Sequence, residues 1–98
     1  MLPTKRPPTS PGEILLNEFI KPFGMTQKEF TQYVGWSYAR LNEIIHGKRG
    51  ITASSALTLA DVFNMEPDFW LNLQKNWDLW NALKHHKNIK PMVRKAVA

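Results

Sequence analysis

The chain of 98 residues contains no cysteine, which excludes disulfides and thiolate metal sites and fits a cytoplasmic setting. It has no apolar run long enough to span a bilayer. Lys5 and Arg6 lead into prolines with no apolar stretch behind them, so no signal peptide is expected. Histidines are few. His85 and His86 are neighbours, which diverge on a helix and cannot share a metal. No serine occupies a G-x-S-x-G setting, and no glycine loop has phosphate-cradling spacing. The carboxylates fall singly on helix starts and exposed faces. These absences argue against an enzyme, a metal site or a cofactor.

Acids are also missing from residues 84–98, which hold Lys84, Lys87, Lys90, Arg94 and Lys95. Residues 1–83 hold eight basic and eight acidic side chains, so the whole formal charge of +5 comes from this tail. A basic excess points to a polyanionic partner. The length allows one domain with a modest core, and four Trp and five Phe can make that core dense.

What is present is organised around residues 26–49, TQKEFTQYVGWSYARLNEIIHGKR. Thr26 and Glu29 fit a capping box, so a helix starts at Gln27. The spacing of Phe30, Tyr33 and Val34 puts them on one buried face. Gly35 stops that helix. Trp36 fills the turn, and Ser37 caps a second helix. Leu41, Ile44 and Ile45 form its buried stripe, and Gly47 ends it. The outer side carries Ala39, Asn42, Glu43 and His46, flanked by Tyr38 and Arg40. His46 stands at the helix end, where a cation suits the dipole or a phosphate. This is a helix-turn-helix, with the second helix as candidate reader of a DNA major groove. Ala39 would face a thymine methyl, Arg40 a guanine and Glu43 a cytosine amine. Arg40 and Glu43 could instead form a surface ion pair. Lys48 and Arg49 make a basic corner within reach of phosphates.

Around this motif the chain divides into a flexible arm (1–9), a helical domain (10–83) and the basic tail (84–98). Lys5 and Arg6 in the arm either follow a DNA backbone or are merely solvated. Ser10-Pro11-Gly12-Glu13 starts a first helix, which Pro22 ends by biasing Lys21 out of the α region. Thr52 caps a fourth helix, with Asn64 as a left-handed stop. A fifth runs from Pro67 to about residue 83. There Trp70, Leu73, Trp77 and Trp80 form a stripe, while Leu71 and Leu79 point elsewhere. This is more apolar surface than one face needs. Trp70, Leu71, Trp77, Leu79 and Trp80 therefore divide between core and an interface with a second copy or another protein.

The blocks PPTSPGEILLNEF, TQKEF…VGWS…LNEIIHGKR and PDFWLNLQKNWDLW together resemble the HigA antitoxins, within the Xre-type, phage-repressor-like helix-turn-helix proteins. The resemblance implies a five-helix all-α fold and a homodimer on double-stranded operator DNA. It also implies a HigB-type toxin as partner, a small protein that cleaves messenger RNA. Gln27 matches the family's backbone-contacting glutamine. Ser37, Tyr38, Ala39 and Arg40 match the start of its reading helix, Asn42 and Glu43 its outer face, and Lys48 and Arg49 its basic corner. Thr31 stands where such motifs usually carry alanine, which predicts a looser crossing of the motif helices. The basic tail is unexpected for a neutraliser of an RNA-cleaving toxin. A stand-alone Xre-type regulator, or a protein-interaction module that keeps the motif as scaffold, are the alternatives.

Overall fold

The computed structural model describes residues 7–95. Lys5 and Arg6 lie outside the described residues, as do positions 96–98 of the tail. Among the described residues there are five helices and no strand. Helix α1 (Pro11–Ile14) runs on without a break into wider-wound turns, Leu15–Ile20. It is followed by α2 (Gln27–Val34), α3 (Tyr38–Ile45), α4 (Ala53–Phe63) and α5 (Pro67–Leu83).

Local sequence accounts for the boundaries. The hydroxyls of Ser10, Thr26, Ser37 and Thr52 each accept a backbone N–H three residues on, which satisfies one of the donors a helix start leaves free. At Thr26 the box is complete, because Glu29 also accepts the Thr26 N–H at 3.0 Å. The Thr26 backbone N–H, and to a lesser extent the Thr26 side chain, hold the Glu29 carboxyl below its ordinary pKa. At the far ends, Gly35 and Gly47 take positive φ. This lets Trp36 N–H reach Thr31 C=O and Lys48 N–H reach Glu43 C=O, closing carbonyls the helices leave open. Asn64 stops α4 the same way, with φ 52°. The first helix ends differently from the sequence expectation. Lys21 keeps α-helical angles beside Pro22, and Phe23 N–H still bonds Phe19 C=O. The stop is Gly24, after which Met25 N–H returns to Ile20 C=O.

The core is built on aromatic rings. Trp70 lies against Phe19 with centroids 4.9 Å apart. Phe63 stacks on Phe30 at 5.8 Å, and Phe30 meets the edge of Trp36 at 6.0 Å. Leu15, Ile20, Leu41, Ile44, Ile51 and Leu59 fill the space around them. Trp70 is fully buried, so it belongs to this core and is removed from the candidate interface. Tyr33 corrects the reading of α2, being 74% exposed. The inward row of α2 is Gln27, Phe30, Thr31 and Val34, the i, i+3, i+4, i+7 set, and Tyr33 falls outside it. Thr31 is buried with its hydroxyl donating to Lys28 C=O at 2.8 Å, so the hydroxyl is not stranded at the crossing.

A close approach fixes α3 from behind. A Cβ at Gly12 would lie 2.0 Å from the Ile44 carbonyl oxygen and 2.6 Å from Ile45 Cα. The start of α1 therefore rests directly on the backbone of α3.

Candidate nucleic-acid interface

Helix α3 buries Leu41, Ile44 and Ile45 and turns its other side to solvent. Ser37, Tyr38, Ala39 and His46 are exposed, and Asn42 and Glu43 are half-buried. The expected outer face is therefore brought together on one side, with Tyr38 and Ala39 at its N-terminal end. Ser37 Oγ accepts Arg40 N–H at 3.1 Å, which leaves its own proton free to donate. His46 Nδ1–H donates to Asn42 C=O at 2.8 Å, closing the last turn. Gln27 stands half-buried at the start of α2, with its amide oxygen enclosed and without a partner among the described residues.

Two charged residues are placed differently from the reading of the sequence. Arg40 is not extended outward. Its guanidinium lies over the Trp36 ring at 4.4 Å and donates from Nη2 to Ser55 Oγ at 2.8 Å. Arg40 sits on the flank of α3 that faces α4, stacked on the indole and bonded to a buried hydroxyl, while its Nε is enclosed without a partner among the described residues. Nor does it pair with Glu43. Glu43 accepts both Nε and Nη2 of Arg49, at 3.0 and 2.8 Å. The basic corner is thus half neutralised, and Lys48 is its unpaired cation among the described residues.

Sequence reasoning missed the residues that hold these groups in place. Ser55 is buried, and it also accepts a bond from Thr52 Oγ1 at 3.2 Å. Gln74 on α5 accepts the Ile51 N–H at 2.7 Å and donates to Asp78 at 2.8 Å. It lies where a Cβ on Gly50 would come within 3.2 Å. The loop after α3 is therefore fastened to α5. A cleft of about 320 Å³ lies between them, lined by Lys48, Arg49, Gln74, Trp77 and Asp78. A small residue next to a buried N–H is the only trace this leaves in sequence, and it does not name the partner.

The rest of α5 leaves apolar side chains only half-covered. Leu71 and Leu79 line a shallow groove of about 460 Å³ with Ile51, Lys75 and Ala82. Trp77 and Trp80 are half-buried and stack on each other at 5.9 Å, with Lys84 Nζ 3.7 Å above the Trp80 ring. No helix among the described residues is long and apolar enough to cross a membrane.

Known proteins share this fold. Residues 16–70 match the family model described as "Helix-turn-helix". Over 97 aligned residues, the chain is 37% identical to an uncharacterized HTH-type transcriptional regulator of Haemophilus influenzae, covering 92% of this chain and 90% of that protein. It is 36% identical to antitoxin HigA-1 of Vibrio cholerae, covering 94% and 90%. Among solved structures, Pseudomonas aeruginosa antitoxin HigA with the higBA promoter superposes with a TM-score of 0.79 at 31% identity, covering 90% of this chain and all of that one. These relatives are regulators and antitoxins rather than enzymes. With a helix-turn-helix matched over more than half its length and an antitoxin relative 36% identical over 94% of the chain, the chain belongs to the HigA family of helix-turn-helix antitoxins.

Proposed function

We propose that the protein binds operator DNA as a symmetric homodimer, represses its own toxin–antitoxin operon, and neutralises a HigB-type toxin. The observation that carries this reading is the outer face of α3. Tyr38, Ala39 and Asn42 stand free of the core on a helix locked from behind at Gly12. Asn42 suits adenine and Ala39 a thymine methyl. Gln27 and the Ser37 hydroxyl anchor to phosphate at the two helix starts, and Lys48 does so at the corner. Glu43 keeps Arg49 folded back until a phosphate competes for it. Arg40 serves as a positioning residue, tying α3 to α4 through Ser55, rather than as a reader of guanine. One reading helix covers few bases, so two copies on half-sites ~34 Å apart supply the specificity. The groove at Leu71 and Leu79, with the Trp77–Trp80 stack beside it, supplies apolar surface for the second copy or the toxin.

The test is titration of the protein against the DNA upstream of its own gene and against random DNA of equal length, beside co-purification with the product of the neighbouring gene. Preference for the upstream DNA and capture of that product are expected. Upstream preference without capture favours a stand-alone regulator. Equal affinity for both DNAs would refute operator reading.

A further inference from the structure

The tail is the one strongly charged part of the chain that this reading leaves unused. Beyond Leu83 it holds no helix among the described residues, and residues 84–95 are all exposed. Lys84 is held over Trp80. Lys87, Lys90, Arg94 and Lys95 take part in no salt bridge among the described residues, and no acid lies near them in sequence. The apolar residues of the tail are equally bare, Ile89 at 85%, Met92 at 95% and Val93 at 89%.

We infer that residues 84–95 form a phosphate-tracking arm that binds DNA flanking the operator half-site, independent of its sequence. Three features favour DNA over a protein groove. Five cations fall within twelve residues without a single acid, and a duplex offers one phosphate charge per ~1.7 Å of axis, so no fixed register is needed. Pro91 prevents a helix across the segment and lacks the N–H that strand pairing needs. Ile89 and Val93 also fall on the opposite side of an extended chain from Met92, so there is no single apolar strip for a groove to grip. The arm starts in a suitable place. Gln74 touches the loop of the basic corner, and α5 runs nine residues further, roughly 14 Å at ~1.5 Å per residue. From there residues 84–95 can span up to roughly 36 Å when extended at ~3.3 Å per residue. That reach exceeds the roughly 14 Å back to the corner, so the cations can meet phosphates beside it.

The inference rests on the DNA-binding reading above, and the test separates the two. The full chain and its Lys87→Gln/Lys90→Gln/Arg94→Gln/Lys95→Gln variant are titrated against operator and random DNA at several salt concentrations. Because the changed residues are exposed and form no ion pair among the described residues, the melting temperature serves as a control for folding and should not move. Removing four phosphate contacts lowers the log–log salt slope by up to about 3.6, at ~0.9 per contact. Between 50 and 200 mM salt the wild-type chain then loses on the order of 10² more affinity than the variant. The loss falls equally on both DNAs, so operator preference is unchanged. An unchanged slope overturns the inference, as does a loss confined to the operator or a loss of toxin capture alone. A wild-type chain with no operator preference defeats operator reading instead, while the slope difference still decides the arm.

Discussion

Gly12→Ala tests the mechanical basis of the interface, because it perturbs the reading helix without touching its outer face. The added Cβ would lie 2.0 Å from the Ile44 carbonyl oxygen, 2.6 Å from Ile45 Cα and 2.7 Å from the Ile44 carbonyl carbon. All three are backbone atoms, so no side chain can swing away. Reaching even tight van der Waals contact requires α1 and α3 to part by more than ~1 Å, which also opens the packing around Leu15, Ile44 and Ile45. Overpacking of this kind costs ~1–3 kcal/mol and occasionally more. A clash with the main chain of α3 belongs at the top of that range, about 3 kcal/mol. At ~4–8 °C per kcal/mol for a domain of this size, the melting temperature falls by roughly 12–24 °C. Gly24→Ala is the control. Its site has φ 74° and open space, so the cost is only left-handed backbone strain of ~1–2 kcal/mol. The assay is thermal unfolding by circular dichroism, followed by operator titration below both transitions. If Gly12→Ala melts within a few degrees of wild type, or less steeply affected than Gly24→Ala, the close α1–α3 crossing is refuted.

Arg40→Ala removes the stack on Trp36 and the bond to Ser55, and should destabilise by ~1–3 kcal/mol. In a double-mutant cycle with Ser55→Ala the two should couple by at least ~0.5 kcal/mol; additive effects would contradict their contact. Gln74→Ala strands the buried Ile51 N–H at a cost of ~1–3 kcal/mol. It should speed hydrogen exchange at Ile51 and weaken operator and random DNA together, through a looser basic corner. The Glu29 carboxyl has a lowered pKa in the folded protein, so its cap stabilises above the unfolded carboxylate range. That contribution should fade as pH falls through the folded value, and Glu29→Gln should flatten this part of the stability–pH curve relative to wild type.

Much of this architecture was legible because its signals are local. A hydroxyl three residues before a helix donor, or a glycine at a required positive φ, is decided within one turn of chain, and the caps and stops at Thr26, Gly35, Ser37 and Gly47 formed as read. The buried stripe of α3 was equally plain, since Leu41, Ile44 and Ile45 admit one inward face. Tyr33 misled because i+3 spacing from Phe30 fits two directions around a helix, and only the packed neighbours choose between them. Arg40 misled for a long-range reason. Its hydrogen-bond partner, Ser55 on α4, becomes visible only once α3 and α4 are packed, and that bond holds the side chain over the nearby Trp36. The same holds for Gln74, which bonds a backbone N–H 23 residues away. Trp70 and Trp80 lie on one stripe, yet the first is enclosed by Phe19, Phe63 and Phe69 while the second lies on the part of α5 that extends past the core.

Asn42→Ala, titrated side by side against operator and random DNA, puts the central claim to its most direct test. Asn42 lies on the outer side of α3, and its side chain makes no hydrogen bond among the described residues. Its truncation leaves the stripe of Leu41, Ile44 and Ile45 intact. If α3 reads bases, operator affinity should fall by ~1–3 kcal/mol, roughly 5- to 150-fold, while affinity for random DNA changes little. Equal loss on both DNAs, or no loss on either, would contradict base reading by Asn42.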